Sequence, residues 1–575
     1  MHLTVNPSSC GSSLWCESHG PTVADVTPNC ASALADALYG YGIRNAYGIH
    51  GANSEDLFAA LLRAPRDRRV RLTIAKHEFG AGAMADGATR ITGRPSCLIA
   101  TSGGAAMNCV PALAEAYQSR VPVLALIGCP PTGSEGHGAF QDMCNAPRSV
   151  DAPALFRAVT GYSARVGAPS DLGPALAGAF DALDSGLPAA LLLPKDVQVA
   201  DAQEMTAERH YASPPTIAPS AEVIDALRAA RRPLILLGGA ASRARVGRAV
   251  GDLARATGAV IAVGPNGRDL ALGDGHTVGV SGVMGHPSVV RAAGEADLIL
   301  ALGTDLDVMD RGGLEPALRA TFTVHADAQP PLFEVSVHEP APDVPGYIRG
   351  LVTGLGPGPD RPPWTTAGPE PIVVPRPESG RITCADAVDT LAETIPPDAL
   401  VFADAGNAGA AAVHRLPLGT GSRFVVALGM GGMGFGIAAG VGAAIATGRR
   451  TVILAGDGAF YMHGMEIHTA IEANAPVLLV VFNNDAHGMC VAREERFFSD
   501  LPSLNLFRHT RIGDGLAAMF PTMRVRTAGT VDEIRTAALD LAETRGGPEC
   551  LVIDTDPLEI PPFAAILPAT AKEPR

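Results

Sequence analysis

Short apolar runs alternate with helix-like segments along most of the chain, and this alternation predicts α/β domains. The first apolar runs end at position 48 and then cover 71–74, 96–100, 121–127 and 189–193. Apolar runs of this length, with helical segments between them, are typical of parallel strands that are covered on both faces. We therefore predict a doubly wound parallel sheet within residues 29–200.

Two further regions repeat this pattern. Four more apolar runs follow, at 233–237, 260–263, 298–302 and 323–325. They predict a middle α/β domain over 215–353, and residues 354–380 are so rich in Pro and Gly that we interpret them as a linker. A third α/β domain is predicted over 381–560, and the aperiodic residues 1–28 are predicted to form a flexible N-terminal extension. The predicted fold class is α/β, with three doubly wound parallel-sheet domains.

Two polar clusters in the third predicted domain each follow an apolar run. Gly456, Asp457 and Gly458 end the first run, and Asn483 and Asn484 end the second. The interval has room for one helix and the return strand of a βαβ unit, which brings the carboxyl ends of neighbouring strands to one edge of the sheet. Carboxylate and amide oxygens suit Mg²⁺, and glycines let the backbone approach a large anion. The pattern indicates a diphosphate held through Mg²⁺; the alternative is two ordinary turns.

Composition narrows the function classes. With 47% hydrophobic and 18% charged residues, the chain is rich in residues for buried cores. Its net charge of −15 argues against partners such as nucleic acid or an anionic membrane surface. No apolar run approaches the roughly 20 residues of a membrane helix, and we recognise no secretory signal. The ten cysteines form no CxxC pair and no zinc spacing, so we expect reduced thiols in a cytoplasmic protein.

The Gly-Asp-Gly and Asn-Asn clusters, at this spacing, resemble the signature of the thiamine diphosphate-dependent 2-oxo acid enzymes, especially their acetolactate synthase-like branch. The resemblance covers roughly 29–560 and implies, in order, pyrimidine-binding, middle and diphosphate-binding domains. It implies thiamine diphosphate and Mg²⁺ as cofactors. The implied reaction is decarboxylation of a pyruvate-like 2-oxo acid, followed by carboligation of the resulting enamine to a second carbonyl. It also implies a homodimer or homotetramer, because family members build the site between two chains.

Glu78 is the catalytic residue that this resemblance implies most directly. It follows the apolar run at 71–74 and opens a predicted helix rich in Ala and Gly. In the family, a glutamate in this position contacts the pyrimidine ring of thiamine and favours the tautomer that removes the C2 proton of the thiazolium ring. The alternative is an ordinary acidic residue in the first turn of a helix.

Further cofactor and metal contacts are implied in the third domain. The family motif assigns Mg²⁺ to the side chains of Asp457 and Asn484 and to the backbone carbonyl of Ala486. Met433 would lie between the two thiamine rings, and the Gly431 carbonyl would accept a hydrogen bond from the 4′-amino group. The remaining implied cofactor contacts are Gly406, Asn407, Gly456, Gly458, Ala459, His487, Gly488 and Met489.

The substrate contacts are implied less fully. The Ala-Phe-Gln segment that contains Phe140 and Gln141 resembles one that lines the substrate pocket of acetolactate synthases, and Gln141 is also a catalytic candidate. His137 is the best-placed imidazole for proton transfer, or else a solvated loop residue. His50 stands in the loop after the first apolar run as a substrate contact, and Ala52 follows where pyruvate decarboxylases have an acidic proton donor. The missing acid favours carboligation.

Three alternatives remain open from the sequence. The first is a 2-oxo acid decarboxylase that releases an aldehyde without ligation. The second is an FAD-dependent oxidase of the same fold; the Gly-rich strand ends of the middle domain could support FAD, although we do not favour it. The third is a catalytically silent relative. The identity of the small-molecule 2-oxo acid is not recognisable in the chain.

Overall fold

The computed structural model describes residues 28–562 apart from 145–147, 203–208, 272–274, 366 and 543–545. The predicted extension, 1–28, lies outside the described residues except for Pro28. The described residues form three parallel six-stranded sheets with helices between the strands, which confirms the predicted fold class. Among these residues we find no helix with the length and apolar character needed to span a membrane. The boundaries proposed for the domains and the linker stay predictions.

The first sheet has the strand order β2-β1-β3-β4-β6-β5. Its strands are β1 (Asn45–Gly48), β2 (Arg71–Ile74), β3 (Ser96–Ala100), β4 (Val123–Cys129), β5 (Tyr162–Arg165) and β6 (Ala189–Pro194). Its helices are α1 (Cys30–Tyr41), α2 (Glu55–Arg63), α3 (Glu78–Thr92), α4 (Gly104–Gln118), α5 (Ala152–Ala158), α6 (Leu172–Asp184) and α7 (Lys195–Val199), with 3-10 turns at Arg66–Arg68 and Pro169–Asp171. The apolar pattern missed β5, because it is a half-buried edge strand with few apolar residues.

The middle sheet has the order β12-β11-β10-β7-β8-β9. Its strands are β7 (Pro233–Leu237), β8 (Val260–Val263), β9 (Thr277–Val280), β10 (Leu298–Leu302), β11 (Phe322–Asp327) and β12 (Val337–Pro340). Its helices are α8 (Ala221–Ala229), α9 (Gly239–Arg243), α10 (Gly247–Thr257), α11 (Pro287–Glu295), α12 (Val308–Arg311), α13 (Glu315–Ala320) and α14 (Val344–Leu355), with a 3-10 helix at Pro265–Leu270. The two edge strands, β9 and β12, were absent from the predicted set because both are short.

The third sheet has the order β14-β13-β15-β16-β18-β17. Its strands are β13 (Leu400–Ala403), β14 (Arg423–Val426), β15 (Thr451–Gly456), β16 (Val477–Asn483), β17 (Arg524–Ala528) and β18 (Glu549–Asp554). Its helices are α15 (Cys384–Ala392), α16 (Asn407–Arg415), α17 (Phe435–Thr447), α18 (Asp457–His463), α19 (Glu466–Glu472), α20 (Gly488–Phe497), α21 (Ile512–Met519) and α22 (Val531–Ala542).

The connection between β15 and β16 differs from the single helix that we expected. It contains two short helices, α18 and α19, with a break at Gly464 and Met465. At this break the Ile467 N–H donates to the Gly464 carbonyl at 3.0 Å, and the His468 N–H donates to Met465 at 3.0 Å. Hydrogen bonds between residues three apart tighten the chain beyond α-helical geometry and change its direction.

The first and third sheets share one topology, and they pack together through equivalent helices. In the first domain the edge strand β2 leads into the contacting helix α3, and in the third domain the equivalent edge strand β14 leads into α17. A Cβ atom on Gly87 of α3 would collide with the Ala439 carbonyl of α17, and one on Gly442 of α17 would collide with the Met84 carbonyl of α3. Both positions require glycine because the two backbones touch there.

Candidate active site

Three loops of the third domain follow neighbouring strands and meet at one edge of the sheet. Asp404 follows β13, Gly456 ends β15, and Asn483 ends β16. The parallel register pairs Gly456 with Phe482, so β15 and β16 end level with each other. The carboxyl edge of an open parallel sheet is where α/β domains bind their ligands.

Asp457 is the first residue of α18 and is almost fully buried. Its Oδ1 accepts a hydrogen bond from the Gly458 N–H at 2.9 Å, whereas its buried Oδ2 has no hydrogen-bond partner among the described residues. Burial raises the pKa of the Asp457 carboxyl to about 7, against the opposing effect of the nearby N–H groups of Gly458 and Ala486. A buried carboxylate oxygen without a donor is suited to bind a cation.

The other two predicted metal ligands adjoin this carboxyl group. Asn484 is buried, and its Oδ1 accepts a hydrogen bond from the Ala486 N–H at 3.1 Å. Ala486 is held in place by an antiparallel bridge to Leu506. The structure thus brings Asp457, Asn484 and Ala486 together, although 27 positions separate the first two in the chain. Their role as metal ligands stays a prediction.

Two helix N-termini converge beside these residues. Asn407 begins α16 and Gly488 begins α20. A Cβ atom on Gly488 would lie 2.6 Å from Nδ2 of Asn484 and 3.2 Å from Nδ2 of Asn407, so only glycine fits. Oδ1 of Asn407 is buried without a hydrogen-bond partner among the described residues. The unpaired N–H groups at helix N-termini favour binding of an anion such as a diphosphate.

Glycines border the space next to these helices. A Cβ atom at Gly406 or Gly456 would meet no atom within 4 Å, so both backbones face open space. Gly406 also has φ +118°, which other residues rarely adopt. Gly406 and Gly456, both predicted to contact the cofactor, therefore leave room for a bulky group close to the main chain.

Met433 and His487 converge on Gly458 from two different loops. A Cβ atom on Gly458 would lie 2.5 Å from the His487 ring and 3.1 Å from Cε of Met433. Gly431 has φ +64° and is exposed. Of the remaining predicted contacts, Ala459 is fully buried in α18 and Met489 is half-buried in the first turn of α20.

Asp404 holds the glycine-rich loop before α17, a role that our sequence analysis missed. Its carboxylate accepts hydrogen bonds from the N–H groups of Gly434 and Gly436, both at 2.8 Å. Burial raises the pKa of this carboxyl to about 6, and the bonds from Gly434 and Ala405 partly oppose the rise. Its position directly after a buried strand was the signal that could have identified it.

Glu78 lies in the first domain, whereas the metal-ligand candidates lie in the third. It begins α3, is 9% exposed, and its Oε2 accepts a hydrogen bond from Nδ2 of Asn108 at 2.9 Å. Among the described residues, no hydrogen bond joins Glu78 to the third domain. The next residue, Phe79, does reach it, since a Cβ on Gly432 would lie 3.5 Å from the Phe79 ring. No role was predicted for Asn108.

The predicted substrate contacts separate into two groups. Gln141 has φ +62°, and its Oε1 accepts a hydrogen bond from the Ser102 hydroxyl at 3.4 Å. Ser102 in turn accepts from Nδ2 of Asn53 at 2.7 Å, which joins the loops after β1, β3 and β4. By contrast, Phe140 is 85% exposed, and the exposed His137 is hydrogen-bonded through Nδ1 to the Glu135 carbonyl at 2.9 Å. His50 is exposed and packs edge-on against Phe58.

Three models of one protein family match the chain in order. The thiamine pyrophosphate enzyme N-terminal TPP binding domain matches residues 28–149, the central domain matches 220–343, and the C-terminal TPP binding domain matches 404–553. The chain belongs to the thiamine pyrophosphate enzyme family. Thiamine pyrophosphate is another name for thiamine diphosphate, so the resemblance recognised in the sequence is confirmed.

Several curated relatives within this family are acetolactate synthases. The chain is 28% identical over 494 residues to the acetolactate synthase of Mycobacterium bovis, and the alignment covers 82% of this chain and 78% of the relative. It is 27% identical over 566 residues to the large subunit of acetolactate synthase isozyme 2 of Escherichia coli, over 93% of this chain and 98% of the relative. The similarity therefore extends through all three domains.

The residues present fit the cofactor of a thiamine pyrophosphate enzyme. The unpartnered Asp457 oxygen and its neighbour Asn484 offer hard oxygen ligands to Mg²⁺. The N-termini of α16 and α20 offer N–H groups to a diphosphate, and Gly406 and Gly456 leave room for it. The third domain thus has the chemistry to hold the diphosphate end of the cofactor.

Proposed function

We propose that this protein is a Mg²⁺- and thiamine diphosphate-dependent enzyme that decarboxylates a pyruvate-like 2-oxo acid and joins the remaining fragment to a second carbonyl. The observation that carries the proposal is the convergence of Asp457, Asn484 and two helix N-termini at one sheet edge. The acetolactate synthases among its relatives support carboligation. The absence of an acid at Ala52 favours the same outcome.

Asp457, Asn484 and the Ala486 carbonyl would hold Mg²⁺, and the ion would neutralise the buried Asp457 carboxylate. The N–H groups at the starts of α16 and α20 would bind the diphosphate oxygens. Met433 and His487, whose side chains both lie close to Gly458, would also contact the cofactor. These contacts hold and orient the cofactor.

Thiamine diphosphate held at this site would supply a nucleophilic carbon for the keto group of the substrate and an electron sink for the charge left when CO₂ departs. Glu78 would act at the pyrimidine ring, where its carboxyl group holds a proton on the ring nitrogen. Asn108 is a positioning residue, because it donates a hydrogen bond to Oε2 of Glu78. Gln141, held by Ser102, is the polar group that would orient the substrate.

A second copy of the chain would complete the site, as a homodimer or within a homotetramer. Within one chain the Glu78 carboxylate accepts a hydrogen bond from Asn108 of its own domain, and no hydrogen bond among the described residues joins it to the metal-ligand candidates. Large apolar side chains are exposed around the cofactor loops, at Met430, Tyr461, Met462 and Met465. Exposed apolar patches of this kind mark interfaces.

A cytoplasmic location also stays a prediction.

The decisive experiment follows CO₂ release and products over a panel of 2-oxo acids, with and without thiamine diphosphate and Mg²⁺. We expect CO₂ and a ligated product only when both cofactors are present. Glu78→Gln should lower kcat by about 10²–10⁴-fold. Glu222→Gln, at an exposed position of α8, is the matched control and should leave kcat unchanged.

Each other outcome supports a different function. Free aldehyde as the sole product would favour a simple decarboxylase, and a flavin absorbance band in the purified protein would favour the FAD-dependent oxidase. No CO₂ from any 2-oxo acid would favour a catalytically silent relative. Full turnover by the Glu78→Gln variant would refute the assigned role of Glu78.

A further inference from the structure

Cys129, Glu135 and Cys144 form a compact cluster in the first domain. Cys129 is the last residue of β4, and Glu135 and Cys144 lie in the segment that follows it. The two sulfur atoms and a Glu135 oxygen lie within 4.8 Å of one another. Within the described ranges, this is the one group of three His, Cys, Asp or Glu side chains arranged closely enough to share a metal ion. It lies outside the cofactor loops of the third domain.

Glu135 has a buried oxygen that finds no hydrogen-bond partner in the described part of the chain. Its side chain is only 7% exposed, and its Oε2 forms an ion pair with Arg165. Its Oε1 is buried and has no hydrogen-bond partner among the described residues. A buried charged oxygen is costly unless a donor or cation accompanies it. The Arg165 ion pair fixes the carboxylate, one oxygen of which lies within 4.8 Å of both sulfur atoms, as an outer residue orients a metal-ligating carboxylate.

The chemistry of these three ligands selects the ion. Thiolates bind soft or borderline cations, and sets of Cys with a carboxylate suit Zn²⁺ better than Mg²⁺ or Ca²⁺. A tetrahedral ion with Zn–S bonds of about 2.3 Å holds its sulfur ligands roughly 3.8 Å apart, so a small contraction of the cluster would suffice. Two thiolates and one carboxylate carry three negative charges, which Zn²⁺ and the Arg165 guanidinium together neutralise.

We propose that Cys129, Glu135 and Cys144 bind one Zn²⁺ ion per chain, with the fourth position open to water or an added ligand. A disulfide between the two cysteines is the competing arrangement. It would satisfy the sulfur atoms but would leave Oε1 of Glu135 buried without a partner. The metal site accounts for all three side chains.

The ion would tie together the two ends of the loop that carries the substrate candidates. Cys129 and Cys144 flank residues 130–143, which contain His137, Phe140 and Gln141. The far end of this loop is already anchored, since the Gly103 N–H donates to the Met143 sulfur at 3.0 Å. The ion would therefore hold this loop in place, and its binding does not depend on the function proposed above.

The test uses the full-length protein, purified under reducing conditions and freed of bound metal with a chelator. Zn²⁺ alone is then titrated, and Co²⁺ serves as a spectroscopic probe whose thiolate bands report sulfur ligation. We expect one Zn²⁺ per chain and an increase in Tm. Cys144→Ser and Cys129→Ala should abolish stoichiometric binding, and Glu135→Gln should weaken it at least about tenfold.

Matched controls separate this site from others in the chain. Cys490→Ser removes an exposed thiol elsewhere, and Asp457→Asn alters the predicted Mg²⁺ site; both should still bind one Zn²⁺. Circular dichroism checks that each variant is folded, and Cys144→Ser is the informative variant if the more buried Cys129 proves intolerant of change. Three results would each overturn the proposal. They are unchanged Zn²⁺ affinity in the Cys144→Ser variant, no Zn²⁺ binding by the wild-type protein, and a Cys129–Cys144 disulfide in the alkylated native protein.

Discussion

The first and third domains share one sheet order but differ in what their strand ends carry. In the third domain, β13, β15 and β16 lead into Asp404, Asp457 and Asn484, which are buried. In the first domain, the equivalent strands β1, β3 and β4 lead into loops that link Asn53, Ser102 and Gln141. The scaffold sets where the loops meet, while the residues in the loops decide which chemistry is possible.

The two domains also hold each other's loops in a reciprocal way. Glu466 of the third domain accepts hydrogen bonds from the Lys76 and His77 N–H groups, directly before Glu78. Glu115 of the first domain accepts from the Gly429 and Met430 N–H groups, in the loop that contains Gly431 and Met433. Each buried acid therefore fixes a backbone segment of the opposite domain.

Removing the charge of Asp457 should give the largest effect, because it acts on the predicted Mg²⁺ site of the third domain and leaves the first domain unchanged. Asp457→Asn is expected to weaken Mg²⁺-dependent cofactor binding by on the order of 100-fold or more, because a buried partner of the cation is lost. Calorimetric titration of Mg²⁺ and thiamine diphosphate measures this change. Asp514→Asn, at an exposed position of α21, is the control. Unchanged affinity in Asp457→Asn would contradict the predicted metal site.

A single added side-chain atom should weaken the contact between helices α3 and α17. Gly87→Ala places a Cβ against the Ala439 carbonyl, and we expect a loss of about 1–3 kcal/mol in the free energy of unfolding. Urea denaturation measures the loss. Gly104→Ala is the matched helical control, because a Cβ there meets no atom within 4 Å. Equal stability of the two variants would show that the close backbone approach is absent in solution.

The reciprocal acids should give similar effects in both directions. Glu466→Gln and Glu115→Gln each replace an acceptor of two N–H groups of the opposite domain with a side chain that has one acceptor oxygen and an N–H₂ group, at an expected cost of about 1–3 kcal/mol for these bonds. Glu115→Gln also removes the charge that pairs with the buried Arg90. Glu472→Gln, an exposed change on α19, should cost less than about 1 kcal/mol. Thermal unfolding monitored by circular dichroism compares them. A large effect from only one buried acid would show that the two contacts are unequal.

A pH titration sharpens the comparison further and has the smallest expected effect. The Asp457 carboxyl has a raised pKa of about 7, and Mg²⁺ binds its deprotonated form. The apparent Mg²⁺ affinity should therefore fall as the pH drops below 7, approaching about tenfold per pH unit. Asp457→Asn should remove this dependence. A pH-independent wild-type affinity between pH 6 and 7 would contradict the assignment.

Much of the third-domain site was predictable because its signals are local. Asp457 and Asn484 each follow a run of apolar residues, and parallel strands bring such ends together whatever lies between them. Glu78, an acid that follows a strand and opens a helix, was singled out through the family resemblance, and its catalytic role stays a prediction. The single helix expected between β15 and β16 was wrong in detail, because the Gly464 turn is invisible in an apolar pattern.

The missed residues all act across long distances in the chain. Asp404 reaches Gly434 and Gly436, Glu115 reaches Gly429, and Glu466 reaches His77, each through hydrogen bonds to backbone N–H groups. Backbone donors carry no residue identity, so no sequence motif marks them as partners. The cysteines illustrate the same limit: they show no zinc spacing, yet the fold places Cys129 and Cys144 beside Glu135.

The sequence by itself determined the α/β class, the family and the cofactor, because strand periodicity and strand-end motifs are local properties of the chain. Only the tertiary structure decided that one Asp457 oxygen has no partner among the described residues, that Glu78 accepts a hydrogen bond from Asn108, and that α3 and α17 touch through glycines. Those outcomes depend on burial and on contacts between segments hundreds of residues apart. Such contacts exist only once the sheets have formed and the domains have packed together.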